Sequence, residues 1–91
     1  MKIYEVLVEA GREEHIARHH ITIAEVEQVV FGELAFIRRT RDERYLVIGQ
    51  TDAGRYVSVI LAPRGKGAYA LITARDADDK ERRAYQHYRG H

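Results

Sequence analysis

The spacing of apolar residues divides the chain into short, sharply punctuated elements. Residues 2–8, KIYEVLV, read as a short edge strand that Gly11 breaks. Residues 12–20 follow as a short helix whose only apolar members are Ile16 and Ala17. The next helix start is marked more strongly. Thr22 and Glu25 have the S/T-x-x-E spacing in which each side chain accepts from the other's backbone N–H. Ile21 before the cap and Val26 at the fourth helical position fit a hydrophobic staple. Val26, Val29 and Val30 then form an i, i+3, i+4 stripe, and Gly32 is placed to end it. An amphipathic helix is predicted over 23–31.

Beyond RRTRDER the pattern becomes extended. YLVIGQ (45–50), RYVSVILAP (55–63) and GAYALITAR (67–75) are separated by Asp52-Ala53-Gly54 and Arg64-Gly65-Lys66-Gly67, which are turn residues. An antiparallel meander is predicted, with LAFIR (34–38) as a further strand before it. RYVSVILA is apolar on both faces, as a covered central strand requires. Strict alternation in the last strand puts Ala70, Ile72 and Ala74 on one face and Tyr69, Leu71, Thr73 and Arg75 on the other. A closing helix starts at Asp78, which with Glu81 forms an Asp capping box, and Tyr85 and Tyr88 lie on the Glu81 face. The expected fold is α+β: two short N-terminal helices, a three- to four-stranded antiparallel sheet and a C-terminal helix.

Composition narrows the class. Apolar residues at 45% and charged residues at 32% fit a single globular domain over residues 1–91 rather than a disordered chain. No apolar run approaches the roughly 20 residues a membrane span needs, and MKIYEVLVEAGREE lacks the features of a secretory signal. There is no cysteine, hence no disulfide framework and no thiolate metal site. A cytoplasmic protein without membrane contact is expected. Charge is uneven: residues 1–33 carry net −4, residues 34–75 net +5, and the remainder is balanced. Twelve of the fifteen basic residues are arginine, whose donor fork matches phosphate oxygens. The basic middle is compatible with RNA or another phosphate partner, but on composition alone a solvated face of surface ion pairs is the simpler reading.

EEHIARHHIT, residues 13–22, holds three of the five histidines. His15 and His19 are four apart, one helical turn. The H-E-x-x-H zinc motif needs a glutamate where Ile16 stands. A third ligand would have to come from Glu13, Glu14, His87 or His91, and no spacing selects one. Capping, packing against Ile16 and exposure are the simpler roles. Phosphate-binding glycine loops and the serine-hydrolase elbow are absent.

Three segments resemble one known family. HIARHHIT is similar to the N-x-x-K-H-G-V segment of BrnT-like toxins, and ERYLVIGQTDAGRYVSVILAP to their R-Y-x-x-I-G strand, its turn and the strand after it. ITARDADDKERRAY is similar to their closing I-S-A-R-x-x-x-x-x-E-R-x-x-Y signature. BrnT-like proteins belong to the wider RelE-like superfamily. The resemblance implies a RelE-like fold and a type II toxin, a metal-independent endoribonuclease that cleaves mRNA and inhibits translation. It implies no cofactor, and as partners RNA and a cognate DNA-binding antitoxin, joined in a heterotetramer. Arg18 takes the place of the family's lysine and His19 that of its histidine. Arg44 and Tyr45 match its R-Y pair, Thr73 its serine, Arg75 its arginine, and Glu81 and Tyr85 its helix residues. His15 replaces an asparagine and His20 a glycine. The early W-D-x-x-K is not visible, and the chain has no tryptophan. That missing basic contact keeps a second reading open, a catalytically inactive RelE-like module that binds RNA or protein.

In the scheme the resemblance implies, the RNA 2′-hydroxyl attacks the adjacent phosphate. Arg44 and Arg75 are then expected to hold the phosphate oxygens and His19 to move protons, as catalytic residues. Arg18, Thr73 and Tyr85 are expected to contact RNA. Each has a plainer role beside it: Arg75 pairing with Asp78, Asp79 or Glu81, Glu81 capping a helix, Tyr85 packing, and Thr73 serving only as a strand residue.

Overall fold

The computed structural model describes residues 1–90; His91, one of the nominal histidine ligands, lies outside them. The elements run β1 (Glu5–Leu7), α1 (Arg12–Ala17), α2 (Ile23–Val30), β2 (Phe36–Arg39), β3 (Tyr45–Gln50), β4 (Tyr56–Gly65), β5 (Ala68–Asp76) and α3 (Asp79–Arg89). Both capping boxes form with both reciprocal bonds, Thr22 with Glu25 and Asp78 with Glu81. These are local devices and fold where the sequence places them.

The sheet corrects the expectation of three or four antiparallel strands. It has five, in the order β1-β5-β4-β3-β2. It is mixed, because β1 joins β5 in parallel, Glu5 opposite Ala68 through Leu7 opposite Ala70. The β4–β5 turn supports that junction. Lys66 and Gly67 both have positive φ, 56° and 80°, as a tight two-residue hairpin turn requires. At Gly67 a Cβ would collide with the Tyr4 ring just before β1.

Helices cover both faces of the sheet. Ile16 of α1 and Val26, Val29 and Val30 of α2 pack on Val47, Val57, Val59, Leu61, Leu71 and Ala74. On the other face Tyr85 of α3 packs with Leu46, Ile48 and Ala77, flanked by Phe36, Tyr56 and Ile60. β3 and β4 are therefore buried on both sides, which explains their doubly apolar sequences.

β5 departs from strict alternation. Thr73 pairs with Ile60 and Leu71 with Leu61, so Ile72 is an extra residue in the ladder. Such a bulge shifts the face of everything beyond it. Leu71 and Ala74 both enter the core under α1 and α2. Thr73 thus does not share a face with Leu71 as the unbroken pattern predicted, whereas Thr73 and Arg75, both past the bulge, still share one. The first helix is also shorter than predicted. It ends at Ala17, and residues 18–20 form a turn.

Candidate functional site

β1 pairs with β5 only as far as Ala70, so the outer edge of β5 is unpaired by any strand from Ile72 onward. α1 lies against this edge. The Arg12 guanidinium donates to the Ile72 carbonyl at 3.1 Å. His15, three residues on, shares a 3.0 Å hydrogen bond between its Nε2 and Thr73 Oγ1. The His19 ring stands edge-on to the His15 ring, with centroids 5.7 Å apart and planes 70° apart. Thr73, His15 and His19 therefore meet at one corner of the sheet, with Arg75 two residues beyond Thr73 on the same face.

Arg75 is tied to α3. Its Nη1 and Nη2 donate to the two Glu81 oxygens at 2.7 and 2.9 Å. Glu81 is only 8% exposed and its Oε1 also accepts from the Ser58 hydroxyl and the Asp78 backbone. Burial pushes the Glu81 carboxyl up, but the bonds from Arg75, the Asp78 backbone and Ser58 outweigh it and hold the pKa at about 2. The bonds to Glu81 raise the Arg75 pKa further, so it stays a cation. Of the two readings of Arg75, the lock between strand and helix is what the geometry displays. Its side chain remains 39% exposed, however, and its Nε–H has no acceptor among the described residues. Glu81 is a capping residue and an orienting one.

The turn carrying His19 is held by Arg55, a residue that the sequence did not single out. Its guanidinium donates to the His20 carbonyl at 2.5 Å and the His19 carbonyl at 3.3 Å. It also donates to Asp76 at 2.8 Å and Glu25 at 3.4 Å. Arg55 thereby joins the α1–α2 turn to the end of β5. Its own pKa is raised by the Asp76 bond, and that bond holds the Asp76 carboxyl below its usual value. His20 sits at φ 61°, in the left-handed region that disfavours a side chain. That accounts physically for a glycine at this place in the sequences it resembles.

The other expected residues separate. Arg18, exposed, follows α1; its backbone N–H donates to the His15 carbonyl, and that of His19 to the Ile16 carbonyl, which closes the helix end. Arg44 precedes β3, where β4 intervenes between it and β5. It faces Asp42 at 3.8 Å while Arg75 is turned to Glu81, so the two guanidinium groups do not meet on one phosphate-sized site. Tyr85 is 4% exposed and stands edge-on to Tyr56, which gives it a packing role and leaves no free ring face for a base. Among the described residues no three His, Cys, Asp or Glu side chains form a metal-ligand cluster. No described helix is long and apolar enough to cross a membrane. A groove of about 670 Å³ lies elsewhere, between β2 and α3, lined by Leu34, Phe36, Arg38 and Tyr88 among others.

What sequence missed here is nonlocal. His15 and Thr73 are 58 positions apart and Arg55 and His20 are 35 apart. No periodicity pairs them. The one available signal was the i, i+4 spacing of His15 and His19.

Residues 9–81 match the family model described as "Ribonuclease toxin, BrnT, of type II toxin-antitoxin system". No curated protein sequence matches the chain. Among solved structures, the crystal structure of the Brucella abortus ribonuclease toxin BrnT is similar in fold. Its TM-score is 0.65 and its identity 24%, and the match covers 82% of this chain and 97% of that one.

Proposed function

Because the chain belongs to the BrnT family of ribonuclease toxins of type II toxin–antitoxin systems, we propose that it is a metal-independent endoribonuclease that cleaves mRNA and so inhibits translation. In this reading the fold is RelE-like, the chain is one cytoplasmic domain, and a DNA-binding antitoxin neutralises it in a heterotetramer. The observation that carries the proposal is the meeting of His19, His15 and Thr73 beside Arg75 at the open edge of β5.

The chemistry follows from that placement. The RNA 2′-oxygen bonds to phosphorus, the P–O5′ bond breaks, and a 2′,3′-cyclic phosphate remains. Negative charge gathers on the non-bridging oxygens in the transition state, and donors already fixed in place stabilise it most. Arg75 is such a donor, since Glu81 holds its fork while leaving the Nε side open. His19 moves a proton. Thr73 contributes a hydroxyl. Arg18 and Arg44 lie farther out and contact neighbouring phosphates, which position the strand. Tyr85 supports α3 and takes no part in binding.

The test is cleavage of a defined RNA with and without EDTA. Equal cleavage in both supports the proposal. Cleavage abolished by EDTA and restored by zinc contradicts the metal-free scheme. RNA that is bound and left intact favours the inactive binding module.

A further inference from the structure

The displacement just described needs two proton transfers, one from the attacking 2′-hydroxyl and one to the departing O5′. These oxygens lie on opposite sides of phosphorus, so one imidazole does not serve both in a single step. His19 supplies one group. Resting on the reading of this corner as an RNA-cleaving site, we propose that His15 supplies the other, so that His15 and His19 form the acid–base pair.

Three observations carry this. His15 Nε2 already engages a hydroxyl, Thr73 Oγ1 at 3.0 Å, the same chemical group that a ribose 2′-position presents. Its ring stands edge-on to that of His19 with centroids 5.7 Å apart, so the two imidazoles share one corner. The pair is also braced from both sides: α1 is pinned to β5 through Arg12, and the His19–His20 turn is pinned through Arg55. His15 is half-buried, so packing and the Thr73 bond set its orientation. The charged groups around the pair are Arg12 and Arg18 on the first helix and its end, the Arg75–Glu81 pair from β5 and α3, and the Arg55–Asp76–Glu25 cluster under the turn.

The step balances without an added reagent. One neutral imidazole takes the 2′-hydroxyl proton as the O2′–P bond forms. The other, protonated, gives its proton to O5′ as the P–O5′ bond breaks. The phosphate keeps one negative charge, and solvent exchange restores the two rings.

The experiment is the pH dependence of kcat and KM for a defined RNA, with wild type, His15→Gln and His19→Gln. A glutamine amide reaches the position of His15 Nε2, where it keeps a hydrogen bond to Thr73, but it carries no titrating proton. Wild type should give a bell-shaped profile. Each variant should lose one limb and about 100-fold in kcat, with KM and the thermal midpoint nearly unchanged. A His15→Gln protein that keeps the wild-type rate and both limbs overturns the proposal. Should wild type leave RNA intact, the proposed activity fails and the pair fails with it; cleavage by wild type with an unchanged His15→Gln profile defeats the pair alone.

Discussion

The two faces of the sheet are built to different ends. The face under α1 and α2 is closed, with Val47, Val57, Val59, Leu61 and Leu71 fully buried against helix residues. The face under α3 is only partly covered. Ser58 and Ile48 are sealed, whereas Ile60, Thr73 and Arg75 along the same face stay half-exposed. The closed face makes the domain stable. The open one holds charge and hydroxyl groups on a strand that the closed face keeps rigid. The lesson is that the site gains its precision from a core that it does not belong to.

That division can be broken by substitution. Leu61→Ala, on the closed face, should cost about 3 kcal/mol, seen as a lower urea midpoint, because it leaves a cavity where repacking is limited. The next effect tests the seam between the faces. Glu81→Gln should cost about 2 kcal/mol by the same assay, since Arg75 and Ser58 lose a charged acceptor. Acid should act in the same direction. The Glu81 pKa is lowered from 4.5 to about 2, so the unfolded chain takes up a proton that the folded one resists. The stabilisation is complete above about pH 4.5 and disappears as pH falls through about 2, by an amount on the order of 3 kcal/mol. A flat stability profile over that range contradicts the assignment.

A smaller effect has the opposite sign. His20→Gly should raise stability by about 1 kcal/mol, since a side chain at φ 61° is strained there. Thr73→Ala, on the open face, should change the denaturation midpoint least, within about 1 kcal/mol, while slowing RNA cleavage about 10-fold. A large stability loss with unchanged cleavage would erase the distinction between the faces.

Legibility in sequence followed the range of the interaction. The Thr22–Glu25 and Asp78–Glu81 boxes span three residues and were readable to the residue. The strands β3, β4 and β5 were readable because β-branched runs alternate with turn residues. The parallel docking of β1 was not, because nothing local to KIYEVLV names Ala68–Ala70 as its partner. Nor was the bulge at Ile72, which depends on how two strands pair. Within the site, the resemblance pointed to His19, Thr73 and Arg75, and the fold brings these to one corner. It also pointed to Tyr85, which the fold buries, and it treated His15 as a departure, although His15 is the residue that touches Thr73.

The end-group chemistry of the RNA product tests the central claim most directly. The account predicts that purified protein in EDTA leaves 2′,3′-cyclic phosphate termini, and that His19→Gln, equally stable, forms them about 100-fold more slowly. Products without cyclic phosphate, or a His19→Gln protein as fast as wild type, would contradict it.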